Sequence, residues 1–279
     1  MIEQASQNIV SEPSFWQKVG ALLEYDAASP LIFNSGLFLF LFVAFMGGYL
    51  LLRRATFLRI IYVILFSIYF YYKSSGIYFL LLIFASVSDF ILAHEIARAK
   101  TPRLKKWLVA ASVAIMVQRG YFKYTNFLIE IANSMFGAGF LDFQNIFLPV
   151  GISFFVFQSM SYTIDVYRGV IKPLDRWIDY IFYLSFFPQL VAGPIVRYTT
   201  IADEIAAREE SWDEAYAGTV RFLLGFAKKI LLANPLGQMA DSAFSQSGDL
   251  LTTGLAWLGA IAYTGQIYFD FSGYSDMAI

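Results

Sequence analysis

Residues 31–52, LIFNSGLFLFLFVAFMGGYLLL, decide the class of the fold. They carry no charged side chain, and a membrane-spanning helix needs about 20 predominantly apolar residues. Of the 279 residues, 58% are hydrophobic and 15% charged, whereas roughly 25% are charged in soluble domains. Further apolar segments cover 57–72, 76–93, 107–131, 146–166, 178–196 and 249–269, with a weaker one at 219–233. The sequence predicts an all-α polytopic integral membrane protein with about six to eight membrane segments.

Basic residues alternate between successive connections. The connections after 31–52, after 76–93 and after 146–166 are rich in Lys and Arg, whereas the connection before 76–93 has only Lys73. The positive-inside rule therefore predicts that the 94–106 loop is cytoplasmic and that the amino terminus lies outside.

The composition excludes several kinds of site. Without cysteine, the chain has no disulfide, thiolate metal site or cysteine nucleophile. It has one histidine, His94, so we predict no metal site and no covalently bound cofactor. His94 lies at the end of an apolar segment, where a juxtamembrane role is the expectation. The net charge of −1 gives no indication of nucleic-acid binding.

Residues 1–30 precede the first apolar segment and lack the features of a signal peptide. Ser14 is a predicted N-cap. The apolar residues that follow it recur at helical spacing: Phe15, Trp16, Val19, Leu22 and Leu23. They predict an interfacial helix on the outer face; a partly ordered tail is the alternative.

Polar side chains at membrane depth are costly, about 2.5–3.5 kcal/mol for a charge on insertion scales, and mark a site or an internal partner. Gln158, Tyr162 and Asp165 follow one another at i, i+4 and i+7 and so share one helix face. This stripe either faces a cavity or makes ordinary interhelical hydrogen bonds.

The stretch 180–198, YIFYLSFFPQLVAGPIVRY, contains Pro188 and the pair Gly193–Pro194. These residues interrupt helical hydrogen bonding. They predict broken or re-entrant backbone beside Gln189, with a simple proline kink as the alternative.

The last stretch, IYFDFSGYSDMAI at 267–279, extends a polar face that starts at Gln266. Gln266, Asp270 and Tyr274 share this face, and Asp276 falls on another unless the helix bends. Asp270 is either half of a structural ion pair or part of a site.

A cationic stripe is predicted in segment 107–131. Arg119 and Lys123 are spaced i, i+4, and they either hold an anionic group or pair with acidic residues of other helices.

Four blocks in this order resemble the membrane-bound O-acyltransferase (MBOAT) family. They are RGYFKYTNFLIE (119–130), LPVGISFFVFQSMSYTIDVYRG (148–169), FFPQLVAGPIVRY (186–198) and IYFDFSGYSDMAI (267–279). The resemblance covers roughly 31–279 and is greatest to the bacterial branch that acetylates alginate and cellulose. It implies one multi-helix membrane domain over 31–279, built around a tunnel, in the bacterial inner membrane.

The resemblance also implies a reaction. A cytoplasmic thioester, acetyl-CoA or an acyl carrier protein, donates an acetyl group that reaches a hydroxyl of an extracellular or periplasmic polysaccharide, with help from a periplasmic acetyltransferase partner. The residues expected to line or support the tunnel are Gln158, Tyr162, Asp165, Gln189, Gln266, Asp270, Tyr274 and Asp276. Those expected on the donor side are Arg119, Lys123, Lys172 and Arg176.

The family's essential histidine follows the DFSGYSD block, beyond Ile279. We therefore expect the chain to continue past this residue and 1–279 alone to be inactive. A transporter or channel, and a non-catalytic scaffold, are the alternative functions.

Overall fold

The computed structural model describes residues 14–27, 29–33, 35–118, 120–137, 139–144, 146–191, 193–206, 211–246 and 251–278. No strand occurs among them. The helices are α1 (Phe15–Leu23), α2 (Gly36–Leu51), α3 (Thr56–Ser75), α4 (Phe79–Arg98), α5 (Pro102–Gln118), α6 (Tyr121–Phe136), α7 (Ile152–Arg168), α8 (Trp177–Ser185), α9 (Phe187–Leu190), α10 (Tyr198–Ala206), α11 (Trp212–Ala227), α12 (Asn234–Phe244) and α13 (Thr253–Ala278). The all-helical prediction is confirmed for these residues.

Helix α1 begins at the predicted cap. The Ser14 hydroxyl accepts a hydrogen bond from the Gln17 amide, and the Gln17 side chain accepts one from the Ser14 amide at 2.8 Å. This reciprocal capping box satisfies two amides that the first helical turn leaves free. The Lys73 ammonium donates to the carbonyl of Glu24, so the end of α1 lies beside the carboxyl end of α3.

Helices α3, α4 and α7 form a layer. The Val150 amide donates to the Ser75 hydroxyl at 3.0 Å, so α7 begins where α3 ends. The rings of Tyr78 and Phe147 stack at 5.1 Å, so α7 also begins where α4 begins. Helix α7 therefore runs antiparallel to α3 and parallel to α4.

These directions place the three basic connections at one end of the layer. The connections are 52–55 before α3, 99–101 after α4 and 169–176 after α7. The buried Lys73 lies at the opposite end. The grouping agrees with the alternation of charge along the chain; which end faces the cytoplasm stays a prediction.

One stretch among the described residues, Thr56–Arg98, is long and apolar enough to cross a membrane, and Gly36–Leu51 is apolar but shorter. The long stretch comprises α3 and α4, joined by a short 3₁₀ turn at Gly76–Tyr78. Gly76 has a φ of +59°, so the two helices do not continue one another.

Two predicted segments have different bounds in the structure. Segment 107–131 is two helices, because α5 ends at Gln118 and α6 begins at Tyr121, next to Gly120. The weak segment 219–233 belongs to a longer helical run in which α11, a π-helical segment (Lys228–Ala233) and α12 follow one another without a break. Polar residues at both ends of this run lower the hydropathy there, so the sequence predicted a shorter segment.

The backbone at 180–198 is broken, as predicted. Helix α8 ends at Ser185, the single turn of α9 follows, and 193–197 is irregular. Gly151, with a φ of +74°, packs against this turn so closely that a Cβ there would lie 2.4 Å from the Leu190 carbonyl oxygen. The break before α7 and the break after α9 therefore pack against each other.

An aromatic cluster fixes α9 in place. The Phe187 ring lies 5.3 Å from Phe45, 5.1 Å from Phe66 and 5.8 Å from Phe70, measured between ring centroids. The Phe187 amide, freed by the break, donates to the buried Ser67 hydroxyl at 3.2 Å. The broken segment is thus held inside protein, where interrupted backbone is tolerated.

Candidate functional site

The last polar stretch lies in a close-packed pair of antiparallel helices. Helix α13 runs back along α11, the π-helical segment and α12. A Cβ on Gly225 would lie 2.5 Å from the Gly273 carbonyl oxygen, and one on Gly237 would lie 2.8 Å from Gln266 Nε2. Small residues allow helices to approach in this way. The spacing brings the π-helical segment against the acidic residues of α13.

Two consecutive lysines of the π-helical segment bind the two carboxylates of α13. Lys229 binds Asp270, while Lys228 binds Asp276 and donates to the Ser272 hydroxyl at 3.1 Å. The i→i+5 bonding of a π-helix widens the helical turn, and such segments are frequent at functional sites. Asp276 lies on a different face from Asp270, as predicted, and both are halves of ion pairs.

A third cation joins this cluster. Arg221 Nε lies 3.3 Å from Asp276 Oδ1, so Asp276 is shared by two cations. Three positive and two negative charges leave one excess positive charge. Asp276 is 20% exposed and Asp270 is 48% exposed, so Asp276 is the better enclosed of the two carboxylates.

The other two predicted site residues of α13, Tyr274 and Gln266, are enclosed as well. Tyr274 is buried, with its ring 4.8 Å from that of Phe33. The Gln266 Oε1 atom is shielded and makes no hydrogen bond with any residue that the structure describes. Tyr274 therefore joins α13 to the aromatic cluster around α9.

A second polar centre joins α7, α8 and α9. Gln158 Nε2 donates to the Tyr183 carbonyl at 2.9 Å and to Gln189 Oε1 at 3.2 Å. Tyr162 accepts from the Leu174 amide at 2.9 Å. The structure thus favours interhelical and loop hydrogen bonding for Gln158 and Tyr162 over a stripe open to a cavity.

The remaining member of the stripe is also enclosed. Asp165 is 6% exposed and lies on the same helix. The structure does not bring Asp165 to the charged residues of α13.

The sequence analysis missed a buried acidic residue at this centre. Asp89, in the middle of α4, is fully buried and accepts a hydrogen bond from the Ser159 hydroxyl of α7. The signal was present, because an aspartate inside the apolar segment 76–93 meets the same criterion that selected Asp165.

The predicted donor-side residues do not form one patch. Lys123 Nζ lies 3.5 Å from the Ser153 hydroxyl at the start of α7, whereas Lys172 and Arg176 follow its end. The 17 residues of α7 separate the two groups by roughly 25 Å. Arg119 lies outside the described residues. The stripe of Arg119 and Lys123 therefore stays a prediction.

The basic end of the layer holds its own polar pocket. Its volume is about 400 Å³, and its lining includes Lys100, Lys105 and Tyr167. Lys105 Nζ lies 5.1 Å from the centroid of the Tyr167 ring.

Two other predicted residues make local contacts. Arg176 forms two hydrogen bonds with Asp179, at 2.8 and 2.9 Å, and this partner raises the pKa of Arg176 above its usual value. His94 Nδ1 lies 3.0 Å from the Phe90 carbonyl oxygen at the end of α4. The juxtamembrane role of His94 stays a prediction.

Comparison with known proteins identifies the relatives of the chain. It is 40% identical over 256 residues to the probable alginate O-acetylase AlgI of Azotobacter vinelandii, covering 89% of this chain and 50% of that protein. The chain is a homologue of the alginate O-acetylases. The resemblance to the MBOAT family, in its bacterial alginate branch, is thereby confirmed. No family model matches the chain.

More distant relatives have related names. The chain is 30% identical over 281 residues to the peptidoglycan O-acetyltransferase of Helicobacter pylori, covering 89% of this chain and 53% of that protein. It is 26% identical over 208 residues to the teichoic acid D-alanyltransferase of Lacticaseibacillus rhamnosus, covering 64% and 51%. The chain spans about half the length of the curated relatives it matches.

Proposed function

We propose that the protein is a membrane O-acyltransferase. It moves an acetyl group from a cytoplasmic thioester donor across the bacterial inner membrane for O-acetylation of an extracellular or periplasmic polysaccharide. The observation that carries this proposal is the 40% identity to an alginate O-acetylase over 89% of the chain. The name of that protein gives both the reaction and the class of acceptor.

The surface of the helices supports a polytopic membrane domain over 31–279. Large apolar side chains project from α2 and α13: Phe40 is 72% exposed, Trp257 is 68% exposed and Ile261 is 67% exposed. Such surface is costly in water and ordinary in lipid. Helix α1, with Trp16 exposed, lies at the outer interface, and the basic end of the layer faces the cytoplasm.

The donor, acetyl-CoA or an acyl carrier protein, docks at the basic end. The pocket lined by Lys100 and Lys105 supports this role, together with the nearby Lys172 and Arg176. Phosphate groups of a coenzyme, or the acidic surface of a carrier protein, match these cations.

The acetyl group then passes along the broken part of the fold. Gln158 and Gln189 hold the backbone break between α8 and α9, and the ion pairs of Asp270 and Asp276 fix α13 beside it. These groups support the path by positioning, and positioning of reactants contributes roughly 7–11 kcal/mol to acyl transfer at best. We assign His94 no part in the reaction. A periplasmic acetyltransferase completes the transfer to the polysaccharide.

Deletion and complementation of the full-length gene test this proposal. In a strain that makes its own polysaccharide, deletion removes the alkali-labile acetyl esters, and the wild-type gene restores them. Deletion that leaves the ester content unchanged contradicts the proposed function.

A further inference from the structure

A groove of about 510 Å³ lies along the surface of the α11–α13 pair, next to the ion-pair cluster. Its walls are apolar and include Leu224, Leu231 and Leu232. Three charged residues also line it, Arg221, Lys228 and Asp276, and we call them its charged part. The groove therefore has the two chemical parts that an amphiphile requires.

The charged part has capacity for a further anion. Asp276 is shared between Arg221 and Lys228, so among the described residues the charged part carries one positive charge in excess. Arg221 uses only its Nε, and its two terminal nitrogens make no hydrogen bond with the residues that the structure describes. Both cations are accessible, with Arg221 48% and Lys228 37% exposed.

We propose that this groove binds an anionic phospholipid of the bilayer, which rests on the membrane location in the proposed function. The phosphate binds Arg221 and Lys228, since a guanidinium matches phosphate oxygens with paired donors. One acyl chain lies along Leu224, Leu231 and Leu232. The lipid phosphate supplies a counter-charge for the excess positive charge of Arg221 and Lys228.

The groove adjoins the close contact between α11 and α13. Asp276 would share its two cations with the phosphate. It lies on α13 one turn after Gly273, and Gly273 contacts Gly225 of α11. Lipid binding therefore stabilises the same helix pair that holds the DFSGYSD block.

Native mass spectrometry of the purified full-length protein tests the proposal with phosphatidylglycerol and phosphatidylcholine of identical acyl chains. We expect phosphatidylglycerol to be retained preferentially. Arg221→Gln should weaken its binding about fivefold, the loss expected for one basic residue at a lipid phosphate. The matched control is Arg98→Gln, an exposed arginine paired with Glu95 at 3.7 Å, which should change binding little.

A second variant keeps every charge. Leu231→Trp fills the groove at a residue that is 68% exposed, so it should fold normally and weaken phosphatidylglycerol binding. Equal retention of the two lipids, or equal losses in Arg221→Gln and Arg98→Gln, would overturn the proposal. Unchanged binding in Leu231→Trp would overturn the position of the acyl chain. If inorganic phosphate alone displaces the lipid, the groove binds only the headgroup. That result would overturn the proposal that it binds an amphiphile.

Failure of this proposal is distinguishable from failure of the proposed function. Carbonate washing of cell membranes shows whether the full-length protein is integral. An integral protein without phosphatidylglycerol preference refutes the lipid site alone, whereas a protein released by the wash refutes the membrane location as well.

Discussion

Gly225→Ala tests the close approach of α11 and α13 on which the ion-pair cluster depends. The added Cβ would lie 2.5 Å from the Gly273 carbonyl oxygen and 2.9 Å from the Met277 amide nitrogen, whereas ordinary contact starts at 3.4 Å. Both neighbours are backbone atoms, so the helices must separate by roughly 0.9 Å, and such overpacking typically costs about 1–3 kcal/mol.

Gly218→Ala is the matched control. It lies seven residues earlier on α11, and an added Cβ there has nothing within 4 Å. Alanine favours a helix over glycine by about 1 kcal/mol at either position, so this gain cancels when the variants are compared. The overpacking cost remains in Gly225→Ala alone.

Thermal unfolding of the full-length protein in lipid nanodiscs measures the difference. We expect Gly225→Ala to unfold at least about 2 °C below Gly218→Ala. Its acetylation activity should also fall, because the separation lengthens the contact of Asp276 with Arg221. Equal unfolding temperatures for the two variants would refute the close packing of α11 against α13.

Two further predictions concern buried and paired acidic residues. Asp270→Asn should lower acetylation with normal expression, yet destabilise the protein by no more than about 1 kcal/mol, because the Asp270 side chain is 48% exposed. Near-normal activity in both Asp270→Asn and Asp270→Ala would contradict a role in the site. Ser159→Ala should destabilise the protein by about 1.5–3 kcal/mol, since it removes a hydrogen bond to the buried Asp89. The exposed Ser134→Ala serves as its control, and equal unfolding of the two serine variants would refute the buried bond.

Local chemistry made the backbone breaks predictable. Proline is tolerated in the first turn of a helix but not in its interior, and the structure ends α8 at Ser185 and places Pro188 in the first turn of α9. Ser14 likewise predicted the start of α1, because a capping box depends only on residues of the first turn. Gly120 was present in the sequence too, but the apolar composition on both sides of it suggested one helix.

The partners of the carboxylates could not be predicted in this way. Asp270 and Asp276 bind lysines that are 41 and 48 residues away in the sequence. Their pairing depends on a π-helical segment, and no local sequence motif predicts this segment. The pattern at Gln158 and Tyr162 indicated one polar face. Only the packing of α8 and α9 shows that these side chains are hydrogen-bonded within the protein.

Transfer of labelled acetyl groups from acetyl-CoA in inside-out membrane vesicles tests the central claim most directly. With the full-length protein and its polysaccharide acceptor, we predict alkali-labile label on the polymer when the donor is added to the exposed cytoplasmic face. Right-side-out vesicles should give none. Solute movement without ester formation, or equal labelling in vesicles that lack the protein, would contradict a membrane O-acyltransferase.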